Sequence, residues 1–500
     1  MTTSTSLTPT RRWAALGVLV GAMLLLAIDG TVLYLAVPSL TRDLAPSATQ
    51  ILWIGDIYSF ALAGLLVTMG TLADRVGRKR LLLGGATAFG LASLLAAFAP
   101  SAEALIAARL LLGVAGATIM PSTLSIIRSL FPDQAERTRA IAIWSGASAG
   151  GIALGPLVGG ALLERFWWGS VFLINVPVVL VLVIVGSRLI PESRDPDPGR
   201  FDLWSSALSM ATVVPLVYAV KHAVGSGLDV VTLGCLLAGT LAGVLFVRRQ
   251  RVLTSPMIDV ELFRNPAFSG AVTANFVSIF ALAGLLFFFS QYLQLDQGLG
   301  PFAAGLAELP ASLASLAAAG VVGVSLARLG AGRAVAVGLL TAAVGLVMIA
   351  LSVGDHSVLW LCAALVPIGL GIGLALTLTV DAVVTAVQPD KAGSASAVSE
   401  TAYELGVATG IAILGSVMTL VYRASLDLPD AVGAAPPAVR DSLAAALTTV
   451  PADSAIGVHA RDAFTQAIQT TSLVAAAITV LAAVVAWRTI PSRTADDASA

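Results

Sequence analysis

Six carboxylates stand in stretches too apolar to be solvated: Asp29 in LLLAIDGTVLYL, Asp56 in WIGDIYS, Glu308 in AGLAELP, Asp381 in LTLTVDAVV, and Glu400 and Glu404 in SETAYELG. Glu400 and Glu404 are one helical turn apart and face the same way. Asp381 lies nearer an end of its stretch. Arg109 reads as the one basic residue well inside an apolar stretch, so the acids have no one-to-one partners. Ionisable groups at bilayer depth are costly and mark functional positions by default. A buried, unpaired carboxylate favours its neutral form and takes up a proton. Ionised, it attracts an organic cation instead. One site does not hold both favourably, so the two compete, and competition combined with alternating access gives antiport. A lipophilic cation also gains from the face of an aromatic ring. Trp53, Tyr58, Phe60, Phe276, Phe280, Phe287 and Tyr403 are candidates for that contact, with packing or lipid exposure as the ordinary use of each ring.

The elements that must carry these residues are membrane helices. The chain of 500 residues is 57% hydrophobic and 11% charged, whereas soluble domains carry about 25% charged residues. Fourteen apolar stretches have the length of about 20 residues that a bilayer core requires: 13–37, 50–72, 81–99, 104–130, 138–161, 168–188, 203–222, 229–248, 267–292, 302–327, 333–352, 358–380, 393–421 and 465–488. The first follows Arg11 and Arg12 as a signal peptide would, but it is too long for one and no A-x-A site ends it. An even count puts both termini on one side. Basic clusters such as Arg75-Arg78-Lys79-Arg80 and Arg248-Arg249-Arg251 fall on that side, which makes it cytoplasmic. Lys221 falls on the opposite side, at the end of the seventh stretch. The polar, Pro-rich PESRDPDPGRFD (191–202) reads as a connector. The loop at about 422–464 holds helix-like pieces, PPAVRDSLAAALTTV and VHARDAFTQAI, and reads either as a solvated cap or as part of an outer gate. The expected division is a six-helix bundle over 1–190, a linker and two inserted helices over 191–265, and a second six-helix bundle over 266–500.

A faint repeat supports the division. GTLADRVGRKR (70–80) follows the second stretch and SLARLGAGR (325–333) follows the tenth, both short basic loops with Arg-x-Gly spacing. Repeated bundles around a central cavity are the usual build of a secondary transporter. The fifth stretch contains GGIALGPLVGG, rich in poor helix formers. Gly151, Gly155 and Gly159 recur every fourth residue and make one smooth face for close packing in lipid. Pro156 removes a backbone hydrogen bond. The face is either plain packing or a hinge.

GTLADRVGRKR, with Gly70, Asp74, Arg75, Gly77 and Arg78, resembles the loop motif of the major facilitator superfamily. ARLLLGVAGATIMPSTLSII resembles its fourth-helix motif, with Arg109 as the arginine. GIALGPLVGG is similar to the fifth-helix antiporter motif, and fourteen spans fit the drug:proton antiporter-2 group. LWIGDIYSFALAG, FLINVP and SETAYELG resemble the QacA-type multidrug exporters. The resemblance implies an all-α major facilitator fold arranged 6 + 2 + 6. It implies proton-coupled export of lipophilic cations, dyes and quaternary ammonium compounds across a bacterial cytoplasmic membrane. Asp29, Asp56, Glu400 and Glu404 then match coupling or binding positions, Arg109 serves proton coupling, Asp74 belongs to a cytoplasmic latch, and Gly151 to Gly159 form a hinge that seals against leak. Glu308 departs from the apolar residue expected there and points to a substrate-range role. Ser399 and Ser315 stand where relatives carry acids, which weakens a preference for divalent cations.

Other classes fare worse. A net charge of −1 suggests no nucleic-acid partner. No GxxxxGK[ST] loop offers a nucleotide site, and no HExxH or cysteine-nucleophile signature offers membrane enzymology. Two cysteines and three histidines supply no metal framework, and no cofactor is expected. A sensor that transports nothing leaves the six acids unexplained. A dedicated exporter of one antibiotic or natural product remains the alternative within transport.

Overall fold

The computed structural model describes residues 8–194, 202–253, 256–354, 357–388, 392–426 and 436–492. Among them the regular structure is helical, and 14 helices are long and apolar enough to cross a membrane. The first six are α1 (Pro9–Leu44), α2 (Ala48–Val76), α3 (Arg78–Ala97), α4 (Ala102–Leu130), α5 (Gln134–Leu163) and α6 (Ser170–Leu189). A pair follows, α7 (Leu203–Ser226) and α8 (Val230–Val252). The last six are α9 (Pro266–Leu295), α10 (Pro301–Leu329), α11 (Ala331–Ser352), α12 (Val358–Thr385), α13 (Ala392–Ser425) and α14 (Ala455–Thr489). In hydrocarbon a segment must satisfy its own backbone groups, which is why each apolar stretch closes into a helix. Some of their starts carry polar caps: Ser47 and Gln50 bond reciprocally ahead of α2, and Asp229 caps α8.

The ends differ from the sequence reading in two places. VHARDAFTQAI, expected as a separate piece of the loop, belongs to α14, which starts at Ala455 because Ser454 caps it there. PPAVRDSLAAALTTV breaks at Ser442 into two short helices, Pro437–Asp441 and Leu443–Thr449. Residues 195–201 of the connector and 427–435 of the loop lie outside the described residues. Helix α6 is interrupted at Ile174. Pro177 lacks the N–H that the Leu173 carbonyl would accept.

Packing repeats at an offset of eight helices. Helix α1 packs on α5 and α6, α2 and α3 pack on α4, and α3 packs on α6; likewise α9 packs on α13 and α14, α10 and α11 pack on α12, and α11 packs on α14. The pair α7–α8 stands apart, with α7 touching both α2 and α13. The loops after α2 and α10 correspond: Gly77 at φ +116° and Gly330 at φ +72° make the two turns, a backbone region that glycine enters freely. Outward-pointing Leu91, Leu95, Leu237, Leu313, Leu351 and Leu481 present apolar surface to lipid.

The two six-helix groups meet at α2–α13, α5–α10 and α1–α9. These contacts lie toward the end remote from the termini, called the far end below. There Phe287 and Ile411 press on Gly55, Leu52 presses on Gly415, and the Phe302 backbone presses on Gly160. Toward the terminal end, Gly146 and Gly150 of α5 and Gly320 and Gly323 of α10 face open space. The groups are therefore closed at the far end and parted at the terminal end.

Candidate functional site

Asp29 and Arg109 are brought together from α1 and α4. The guanidinium Nη1 donates to Asp29 Oδ2 at 3.3 Å, and Nε donates to the Ile54 carbonyl at 3.1 Å. The guanidinium lies 4.8 Å from the centre of the Tyr58 ring. Asn175 of α6 donates to Asp29 Oδ1 at 2.7 Å and to Ser93 Oγ at 3.1 Å. All four polar side chains are fully buried. A charge at this depth is tolerable because each carboxylate oxygen has a donor.

Asp56 has a partner that sequence reasoning placed in an outer loop. Lys221 Nζ of α7 lies 2.6 Å from Asp56 Oδ2, and both side chains are inaccessible. The same ammonium sits 3.6 Å from the centre of the Trp53 ring. Arg109 is thus not the one basic residue inside a span. Tyr218, one turn before Lys221, stacks on His222 at 5.6 Å, and His222 Nε2 lies 3.0 Å from Asp229 Oδ2.

Glu308, Glu400 and Glu404 have no basic side chain within 4 Å among the described residues. Glu308 is buried, with the Ser290 hydroxyl beside it and Oε1 without a hydrogen-bond partner. Glu404 approaches the Ser59 hydroxyl and lies within electrostatic reach of Tyr34, Tyr58 and Tyr403. Glu308 also reaches Tyr34. Tyr34 of α1 therefore marks the place where the unpaired acids of α10 and α13 face the Asp29–Arg109 pair. Glu400 sits one turn below Glu404. Beside it Asn275 donates to the Ser399 carbonyl at 2.8 Å and keeps its own Oδ1 unpartnered. Asp381 is exposed, unlike Asp29, Asp56 and Glu308.

The aromatic candidates divide. Tyr58 and Tyr403 stand among the charged groups, and Trp53 covers Lys221. Phe276 and Phe280 stack at 6.1 Å along α9. Phe60 packs with Val217, Ala408 and Ala412, and Phe287 is fully buried against Tyr34 and Phe288. In this conformation both of those rings fill helix contacts. Tyr34, Asn175, Ser93 and Lys221 were missed by sequence reasoning. Asn175, a polar residue within the quoted FLINVP, carried a usable signal.

The motif residues have specific neighbours. A Cβ at Gly151, Gly155 or Gly159 would overlap Ala27, Thr31 or Val32 of α1, so that face rests on α1. Pro156 turns the other way, and its carbonyl packs against Gly305 of α10. Gly70 faces Pro121 of α4. Asp74 pairs with Arg78 at 2.8 Å, within its own loop and not across the bundles. Arg80 and the Lys79 N–H reach Glu192 beyond α6. Arg75 also has a partner. Among the described residues no three His, Cys, Asp or Glu side chains gather as metal ligands.

The site thus gathers two acid–base pairs, Asp29–Arg109 and Asp56–Lys221, and three carboxylates with no basic side chain within 4 Å among the described residues. The family model of the Major Facilitator Superfamily matches residues 19–411. The chain belongs to the major facilitator superfamily. It is a multi-pass membrane transporter of that superfamily, with its all-helical fold. It is similar to the multidrug efflux pump LfrA of Mycolicibacterium smegmatis, 48% identical over 491 residues and covering 97% of each chain. It is also similar to the methyl viologen resistance protein SmvA of Salmonella typhimurium, 37% identical over 84% of this chain and 85% of that one. The tetracenomycin C resistance and export protein of Streptomyces glaucescens is 30% identical over 82% of this chain and 76% of its own. Among solved structures, a bacterial homolog of the human lysosomal transporter Spinster, inward-facing and occupied, matches with a TM-score of 0.69 at 17% identity. That match covers 97% of this chain and 98% of the other.

Proposed function

We propose that this major facilitator protein is a proton-coupled multidrug antiporter that exports lipophilic organic cations, dyes and quaternary ammonium compounds. The observation that carries the reading is the cluster of Glu308, Glu400 and Glu404, acids at membrane depth with no basic partner among the described residues. Such acids are stable empty only when protonated, and a cation that enters displaces the proton. The terminal end is cytoplasmic in this reading, so cargo loads from the cell or the inner leaflet. The bundles 1–190 and 266–500 rock about the glycine contacts of α5, with 191–265 as connector and inserted pair. Asp29 couples the proton step through Arg109, Glu308 and Glu404 meet the cation, and Tyr58 and Tyr403 flank it. The names of the similar efflux and resistance proteins support export of drugs, and the methyl viologen name supports cationic cargo.

The deciding experiment is dye transport into everted membrane vesicles under an imposed proton gradient, without ATP. Uptake of a cationic dye that collapses with a protonophore is expected. Failure to move any cationic dye, with movement of one natural product instead, supports the dedicated-exporter reading that the tetracenomycin relative represents.

A further inference from the structure

Lys221 has no place in the mechanism so far. It comes from α7, outside both six-helix groups, yet its ammonium is fully buried beside Asp56 and over the Trp53 ring. A carboxylate at 2.6 Å and an indole face at 3.6 Å are what a bound organic cation would be given. The chain fills that arrangement with its own side chain. Asp56 is also within electrostatic reach of Arg109, so it shares its surroundings with the Asp29–Arg109 pair. Arg109 compensates Asp29 and Lys221 compensates Asp56. Glu308, Glu400 and Glu404 are left for a mobile cation. We propose that Asp56 and Trp53 form a cation site held by Lys221 as a resident cation, and that Lys221 thereby sets the charge of the preferred cargo.

The inference rests on the cation-transport reading. Its physical content is that one unit of charge at Asp56 acts on a cation bound nearby. Across about 10 Å and an effective dielectric of about 20, that is roughly one order of magnitude in affinity per unit of cargo charge. A dication feels it twice and a monocation once. The readout is therefore the ratio of the affinity for methyl viologen, a dication, to that for tetraphenylphosphonium, a monocation. Both are measured by calorimetry on the full protein in lipid nanodiscs at one pH.

Lys221→Met leaves Asp56 unpaired, so it is protonated when empty and ionises as a cation enters; compared with wild type at a pH high enough for that exchange, the ratio should rise about tenfold. Asp56→Asn leaves Lys221 unpaired; compared with wild type at a pH low enough to keep its ammonium protonated, the ratio should fall by a similar factor. The double variant should bring it back toward the wild-type value. Should Lys221→Met not fold, Asp56→Asn still reads the same quantity with opposite sign. A ratio that stays at the wild-type value in a folded single variant overturns the role of Lys221 while the cation reading stands. Wild-type protein that binds neither probe overturns both.

Discussion

Asp29 and Glu308 are both buried acids, but their surroundings differ. Asp29 has Arg109 on one oxygen and Asn175 on the other, whereas Glu308 Oε1 has no partner. Asp29→Asn keeps the shape and removes the charge that Arg109 answers. We expect loss of transport for every substrate, because an uncompensated Arg109 disables the coupling pair. Glu308→Gln should be selective, weakening the more highly charged substrates and sparing some monovalent ones. Efflux assays with a panel of cations decide it; a uniform loss for Glu308→Gln beside a selective loss for Asp29→Asn would reverse the assignment. Protons compete with the cation, so binding should strengthen as pH rises between about 5 and 8, and Glu404→Gln should flatten that curve. Binding that ignores pH in the wild type would leave only indirect coupling. The acids themselves were legible in the sequence because a charge within an apolar run is conspicuous. Lys221 was not, since one residue at the end of a span reads as a loop until α7 is seen lying against α2. Asn175 gave a signal but no partner, because its contact with Asp29 spans 146 positions of chain.

Helix α5 has two glycine faces directed at different neighbours. Gly151, Gly155 and Gly159 admit the backbone of α1, and Gly160 admits that of α10. Gly155→Leu drives a side chain into Thr31 and Ile28. Overpacking of this kind costs about 1–3 kcal/mol, and transport should be abolished in protein that still inserts. Gly234→Leu, on α8 with open space beside it, should transport normally. Normal efflux by Gly155→Leu would make the face ordinary surface. The period of four glycines was readable in the sequence, but not which helix it would meet. At the other extreme of order, the α7–α8 turn is held by Asp229, whose carboxylate accepts from the Thr232 N–H and faces His222. Those contacts hold its carboxyl down to about 2. A folded value below the roughly 3.9 of free Asp stabilises the fold fully above about pH 4, and the contribution is lost as pH falls toward 2. Asp229→Ala should therefore lower the Tm at pH 7, and the gap to wild type should close near pH 2. A gap that is constant over that range would assign the effect to helix propensity alone.

For the whole molecule, the sequence displayed the number of spans and the repeat, since hydropathy and loop motifs are local. It did not display which end is closed, which depends on contacts between groups that are hundreds of residues apart. Closure at the far end makes a testable asymmetry. With Cys235 and Cys362 replaced by Ser, a cysteine at Gly146 should react with an impermeant thiol reagent applied at the terminal side, and one at Ser416, a buried residue of α13 next to Gly415, should stay protected from both sides. Labelling of Ser416→Cys from the far side in the absence of cargo would contradict the closed arrangement. The same closure bears on pharmacology. On the proposed orientation, a blocker designed against Glu308 and Glu404 meets a shut door when it arrives in the medium. It must first dissolve into the membrane and approach from within. A molecule able to do that while carrying a positive charge has the properties of the cargo itself, so potency and expulsion would rise together. A neutral ligand that donates hydrogen bonds to the two carboxyls separates them, since it occupies the acids without bringing the charge that drives the exchange.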